Sequence, residues 1–365
     1  MEFTIDQTRL VPSIGWAANG FATHPMIPIL AGVRLGVSGG QLTITGYDHD
    51  TCGVATAEVT ASHDGTAVVS GRLFHEIVKA LPPKPVRFTV GPGRAEITCG
   101  GALFSLPTML EEDYPPIPRM PAVAGTASAT EFVPAVNTVA AAASRDETIP
   151  LLTGIQCDLS PDHLTLRATD RYRMAVRRLD WRGDTQPRTV SVPSRSLSTV
   201  GRAIAASGTE VGLGLSDTGG LVGLRVGRRH LTCRVLDGQL PDMTSILAGP
   251  FRRLAEVATA DLNQALRRIS LVAGRQTRIV IAFRDSGIEV SSGGGEAMGA
   301  RETIPAQVSD TRRIEFNAGY LADGVAAVDS PVGFMDLDDR SGRIRLSGES
   351  GAETFSYLMQ PLRPT

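Results

Sequence analysis

The stretch "PILAGVRLGVSGGQLTITGYD" from Pro28 aligns without a gap on "PLLTGIQCDLSPDHLTLRATD" from Pro150, an offset of 122 residues. Pro28 falls on Pro150, Gly32 on Gly154, Leu42 on Leu164 and Asp48 on Asp170. The same offset sets "LVPSI" at Leu10 on "FVPAV" at Phe132. One residue more sets "VSGRLFHEIVKAL" on "VPSRSLSTVGRAI", so that Arg72 meets Arg195 and Lys79 meets Arg202. A fainter third copy has its strand pair in "RIVIAFRDSGIEVSS" from Arg278 and its helix in "FNAGYLADGVAAV" from Phe316. Solenoid repeats run to ~20–50 residues, so each copy of this longer period is a whole domain. The spacing predicts domains over residues 1–120, 126–248 and 252–365, joined by the linkers "DYPPIPRMPAVAG" (Asp113 to Gly125) and "LAGPFRR" (Leu247 to Arg253).

Within a copy the pattern alternates between two periods. Stretches such as "LTITGYD", "RFTVGPGRAEITC" and "GRIRLSG" repeat every second residue between Gly and Asp turns, as strands do. Two helical stretches per copy interrupt them. In "GRLFHEIVKALP", Leu73, Phe74, Ile77, Val78 and Leu81 form an apolar face, and Arg72, Glu76 and Lys79 lie elsewhere on the circumference. Arg72 and Lys79, like Arg195 and Arg202, are separated by almost two helical turns and share a face. The first helix of the third copy, "LNQALRRISLVAGRQTR", adds Arg267, Arg268, Arg275 and Arg278. Pro12 and Pro134 stand at matching places in the first helices, which implies a shared bend. The fold class is therefore α+β: three similar domains, each of strands and two helices.

Composition excludes more than it selects. Lys and Arg number 36 against 38 Asp and Glu, and no third of the chain carries a strong basic excess: 8 basic to 11 acidic in 1–120, 14 to 12 in 121–249, 14 to 15 in 250–365. A protein held on nucleic acid by phosphate attraction alone needs such an excess; DNA contact here must come from local clustering. No apolar run has the ~18 residues of a membrane span, and "MEFTIDQTRL" lacks the regions of a signal peptide, so a cytoplasmic location without membrane association is expected. Cys52, Cys99, Cys157 and Cys233 lie far apart with no CxxC pair and read as reduced core or strand residues. Neither GxxxxGK[ST] nor HExxH nor GxSxG occurs, nor a strand followed by GxGxxG, and no cofactor is indicated. "YDHDTC" gathers Asp48, His49, Asp50 and Cys52, but the aligned "TDRYRM" is a set no cation would choose, so no metal is expected.

Seven stretches together carry a resemblance: "PILAGVRLGV", "GRLFHEIVKALP", "FSLPTMLEEDYPPIP", "LLTGIQCDLS", "LTLRATDRYRMAVRRL", "VLDGQLPDMTSIL" and the ending "YLMQPLR". In order and over essentially the whole chain, they resemble the bacterial sliding clamp, the beta subunit of the replicative DNA polymerase. The resemblance implies a DNA clamp fold of three similar domains, each with two helices packed on antiparallel sheets, and two chains closing head to tail into a homodimeric ring around double-stranded DNA. It implies a processivity factor without catalytic activity. Enclosure holds DNA by topology and without sequence specificity, so the inner helices need only a modest positive field. Arg72, Lys79, Arg195, Arg202, Arg267 and Arg268 are the candidates for that lining. His24 and Arg145 stand where clamps contact DNA from loops, and the helix around Leu321 carries no basic residue.

The resemblance also implies two protein-binding surfaces. The edge strand "ALFSLP", with Phe104 and Leu106, is expected against the third domain of a second copy near Leu271 and Val272. The turn after Thr169, the "LPD" loop and the C-terminal tail form a groove for a short peptide carried by the replicative polymerase catalytic subunit, the clamp loader and other clamp-binding proteins. Position by position it comprises Leu152, Thr169, Arg171, Tyr172, Arg173, Met174, Pro241, Ser245, Ile246, Leu358, Met359, Gln360, Pro361, Leu362 and Arg363. This chain departs from its relatives there: Arg171 stands where clamps commonly have glycine, Ser245 replaces a usual arginine, Gln360 replaces a usual apolar residue, and "PT" follows Arg363. One alternative is a specialised second-copy clamp whose groove excludes a peptide-like inhibitor; others are reduced partner binding, a β-rich enzyme, and a scaffold of the same fold that never encircles DNA.

Overall fold

The computed structural model describes residues 1–22, 25–183, 186–204, 210–216, 220–273, 277–293 and 299–363. Its helices are α1 (Gln7–Ala17), α2 (Gly71–Ala80), α3 (Ala129–Ala140), α4 (Ser194–Ile204), the single turn α5 (Thr244–Leu247), α6 (Thr259–Ala273) and α7 (Ala318–Ala326). Pro12 and Pro134 lie inside α1 and α3, and both helices continue through them. In α2, Phe74, Ile77, Val78 and Leu81 are buried at the i, i+3, i+4, i+7 spacing of one stripe, whereas Leu73 stands outside it, 48% exposed. Arg278 belongs to no helix: it opens the strand Arg278–Arg284 and pairs with Glu315, and Arg275 lies outside the described residues.

Strands pair across the boundaries between copies, always at the same place in the repeat. The first-copy strand Thr51–Glu58 runs antiparallel to the second-copy strand Arg229–Arg234, with Thr51 opposite Cys233. The second-copy strand Arg173–Asp180 runs antiparallel to the third-copy strand Phe355–Met359, with Arg173 opposite Met359. Thr51 and Arg173 are repeat equivalents. The chain accordingly sorts into two compact units that ignore the copy boundaries. One holds Met1–Thr130, Arg182–Thr185 and Arg195–Val235, and the other Glu131–Trp181, Gln186–Ser194 and Leu236–Thr365. A 14-stranded sheet belongs to the first unit, and a 9-stranded and a 4-stranded sheet to the second. Side chains bury under them as expected from the alternation; in the first unit Phe3 stacks on Phe88 at 5.2 Å and Phe74 meets Phe88 edge-on at 5.6 Å.

Of the strand edges left open among the described residues, two stand at matching places in the repeat. Ala102–Met109 pairs along its length with Arg94–Cys99, but on its other side only Thr108 and Met109 reach a neighbour, Val69 and Val68. Arg301–Ile304 is one of the two outer strands of the 4-stranded sheet and pairs only with Ile288–Ser291. Leu106 differs from expectation: it is 3% exposed within its own domain's core, and the outward apolar residues of that strand are Leu103 and Phe104.

The proline-rich segment after Asp113 is a packed strap, not a free tether. Tyr114 is buried and donates its hydroxyl to Thr45 O at 3.2 Å, and Met120, Pro121 and Ala122 lie against Gly214 and Gly223, where a Cβ would collide. In the second linker, Phe251 already begins the strand Phe251–Ala258. All four cysteines are buried. No described helix is long and apolar enough to cross a membrane.

Candidate functional site

The turn "DRYR", Asp170 to Arg173, reverses the chain between the strands His163–Thr169 and Arg173–Asp180. Asp170 Oδ1 accepts from the amides of Tyr172 and Arg173, both at 3.0 Å, and Thr169 Oγ1 accepts from the Arg171 amide at 3.1 Å while donating to Arg173 O at 2.7 Å. Locked in this way, Arg171 adopts φ +82°, a left-handed conformation that glycine takes freely and other residues take at a cost of roughly 1–2 kcal/mol. The first copy repeats the aspartate part of the device: Asp48 Oδ1 accepts from the amides of Asp50 and Thr51, and His49, the equivalent of Arg171, sits at φ +76°. The Asp48 carboxylate is thus committed to its own turn. Among the described residues no cluster of three His, Cys, Asp or Glu side chains could hold a metal ion.

Arg173 looks inward. It is 8% exposed, donates from Nε to Asp170 Oδ2 at 2.9 Å and from Nη1 to Asp323 Oδ2 at 2.8 Å and Tyr357 Oη at 3.2 Å, and lies over the Tyr320 ring at 4.3 Å. Tyr357 donates its own hydroxyl to Tyr320 O at 2.9 Å, and burial keeps that hydroxyl protonated, its pKa well above the usual tyrosine range. The result is a closed set of charges and donors under the turn.

Beside the turn the two joined strands and α5 enclose an apolar groove of about 290 Å³. Just before α5, Asp242 accepts from the Thr244 amide at 2.9 Å and its hydroxyl at 2.5 Å, and Met243 and Ile246 pack against Met174, Val176 and Leu358. Of the residues named from sequence, Thr169, Arg171, Tyr172, Arg173, Met174, Ile246, Leu358, Met359 and Gln360 are brought together around this groove. Met243 and Arg343 line it as well. Met243 could have been found from its spacing to Ile246 on one side of the short helix; Arg343 lies in a distant hairpin with no local signal. Leu152, Pro241, Ser245, Pro361, Leu362 and Arg363 stand outside the lining. Pro361 and Leu362 are drawn off because the Leu362 amide bonds to Glu315 O at 2.8 Å. On the other side of the turn a polar cavity of about 320 Å³ is bordered by Arg145, Asp146, Asn317 and Tyr320 among others.

Of the basic residues expected on helices, Arg72, Lys79, Arg195 and Arg267 are exposed. Arg268 is not free: its guanidinium forms a two-pronged pair with Glu302 of the open-edge strand, Nε to Oε2 at 2.9 Å. His24 and the side chain of Arg202 lie outside the described residues. Leu271 and Val272, near the end of α6, are 86% and 44% exposed.

Three family models match in chain order, the N-terminal, central and C-terminal domains of the DNA polymerase III beta subunit, over residues 1–118, 126–242 and 244–363. The chain belongs to this family. It is 34% identical to the beta sliding clamp of Streptomyces coelicolor over 374 residues, covering 100% of this chain and 99% of the relative. It is 32% identical to the beta sliding clamp homolog GriR of Streptomyces muensis over 371 residues, again covering 100% and 99%. The fold matches the DNA polymerase sliding clamp of Bacillus subtilis with TM-score 0.90 at 25% identity, and a Pseudomonas aeruginosa sliding clamp bound to griselimycin with TM-score 0.91 at 21% identity, each over 100% of both chains. The clamp is a processivity subunit of DNA replication, with DNA and the polymerase as its partners and no catalytic activity of its own. Nothing in the fold or the comparisons favours the specialised-copy reading over ordinary clamp function.

Proposed function

We propose that two copies of this clamp close head to tail into a ring around duplex DNA, and that the groove beside Arg171 captures short peptides of the polymerase, the clamp loader and repair proteins. The observation that carries the ring is a pair of open edges at complementary places in the repeat. Arg229–Arg234 joins Thr51–Glu58, and Phe355–Met359 joins Arg173–Asp180. In that series Ala102–Met109 is the first-copy equivalent of the joining strand, and Arg301–Ile304 is the third-copy equivalent of the strand it joins. Each lacks its partner within the chain, and a second copy supplies both. Arg268 then serves the interface, bracing Arg301–Ile304 through Glu302, while Leu103, Phe104, Leu271 and Val272 supply apolar contact.

The remaining lining of the hole is formed by Arg72, Lys79, Arg195 and Arg267 with Arg145 beside them; His24 and the Arg202 side chain, named for the same role from sequence, lie outside the described residues. The domains span 1–120, 126–248 and 252–365, and the site of action is the cytoplasm. A loaded clamp is expected to co-purify with nicked circular DNA and to be lost when that DNA is cut, with a dimer mass in light scattering. Retention after linearisation, or a monomer at all concentrations, would falsify the ring.

A further inference from the structure

The groove has a counterpart one repeat earlier. Where Thr51–Glu58 and Arg229–Arg234 join, a pocket of about 190 Å³ opens beside the first-copy turn. The 122-residue offset sets its Tyr47 at the place of Thr169 and its His49 at that of Arg171. Strand register supplies the rest. Cys233 lies opposite Thr51 as Met359 lies opposite Arg173, so Thr232 stands for Leu358 and Arg234 for Gln360. Val222 pairs with Cys233 as Ile344 pairs with Met359, so Leu221 stands for Arg343. All five counterparts line the groove.

The chemistry of the earlier pocket is its own. The Tyr47 and His49 rings meet edge to face, 5.4 Å between centroids, and Pro118 of the strap and Leu221 complete the apolar walls. Groups at the turn satisfy one another: His49 O accepts from the Tyr47 hydroxyl at 3.4 Å and from Arg234 Nε at 3.2 Å, and Arg234 lies 3.6 Å from Asp50. Thr232 is the exception. It is 1% exposed, and its hydroxyl has no hydrogen-bond partner among the described residues. A buried hydroxyl left in this way is destabilising, and a ligand that bonds to it removes the penalty.

We propose that this pocket is a second anchor site, which takes one tyrosine side chain from an extended segment of a partner protein. It is smaller than the ~300 Å³ at which sites for drug-sized ligands begin, so it holds a single side chain and not a whole ligand. Apolar walls with one unpartnered hydroxyl suit a ring that carries a hydroxyl of its own, because a buried tyrosine packs its ring and needs a partner for its oxygen. The matched positions supply the mode of approach, a segment laid along the turn where two copies join. The two sites lie in different parts of the chain, so either can fail without the other.

Blocked tripeptides Ala-Tyr-Ala, Ala-Phe-Ala and Ala-Leu-Ala, titrated against the full-length clamp by saturation-transfer NMR with and without a saturating Leu-Phe-anchored peptide, test this. The tyrosine peptide should bind about fivefold more tightly than the phenylalanine peptide, the factor expected of one hydrogen bond, and the leucine peptide more weakly still. Thr232→Val keeps the side-chain shape and removes the hydroxyl. It should erase the tyrosine advantage and leave the melting temperature unchanged or higher. Leu221→Trp, which fills the pocket, should block all three peptides. Equal affinities for tyrosine and phenylalanine, or an advantage that survives Thr232→Val, overturn the proposal. Displacement of the tyrosine peptide by the Leu-Phe peptide also overturns it, placing the ring in the groove, whereas failure of the Leu-Phe peptide itself to bind counts against the groove alone. Free p-cresol binding as tightly as the tyrosine peptide overturns the partner segment in favour of a small phenol.

Discussion

Arg171 and Arg173 are two positions apart and have opposite surroundings. Arg173 is held by two carboxylates and the Tyr357 hydroxyl with almost no exposure, so Arg173→Ala leaves Asp170 and Asp323 crowded without a cation. Removing one partner of a buried pair costs about 3–5 kcal/mol; the expected outcome is a loss of that size in denaturant unfolding, with little rescue by Arg173→Lys, since a point charge cannot hold both acids and the ring together. Arg171→Gly should change stability by less than about 1 kcal/mol, because relief of the left-handed strain is offset by the greater freedom of glycine in the unfolded chain. Sequence reading had both arginines in the groove and could not rank them. The repeated Asp of the turn was legible locally; Asp323, which decides the fate of Arg173, is 150 residues away.

Helix α7 is the element that keeps this network in register. Asn317 caps it by accepting from the Tyr320 amide at 3.1 Å, and the helix carries both Tyr320 and Asp323 to the turn. Its close approach to the strand Phe355–Met359 depends on Gly324, where an added Cβ would stand 2.5 Å from the Tyr357 ring. Tyr357 is fully buried and hydrogen-bonded, so it cannot swing aside. Gly324→Ala should therefore destabilise by about 1–3 kcal/mol, and hydrogen exchange should report faster opening at the amides of Tyr172 and Arg173 than at Asp50 and Thr51 of the first-copy turn. Equal exchange at the two turns would sever the proposed link between α7 and the groove. That α7 exists was readable from "FNAGYLADGVAAV"; how near it lies to a strand that follows it in the chain was not, because a glycine reports a close approach without naming the neighbour.

For the whole molecule, the two open edges make a prediction that separates assembly from folding. Phe104→Asp or Leu271→Asp places a charge on an exposed apolar position, and each should give a folded monomer in light scattering that still binds peptide, since the groove is complete within one chain. Leu106→Asp should instead unfold the first domain, because that side chain is sealed in its core. Monomers from Leu106→Asp with unchanged melting, or dimers from Phe104→Asp, would contradict this division.

By itself the sequence determined what depends on neighbours along the chain. The period of the hydrophobic pattern, the Asx turns and the spacing of the copies are local, and they were enough to define three related α+β domains and the family resemblance. The tertiary structure alone decided what depends on partners far apart in sequence: that sheets run through the copy boundaries, that Leu106 faces inward, that Arg268 is tied to Glu302, and that Arg343 joins the groove. An arginine reads the same whether a carboxylate waits for it or not, and only the packed chain brings the two within reach.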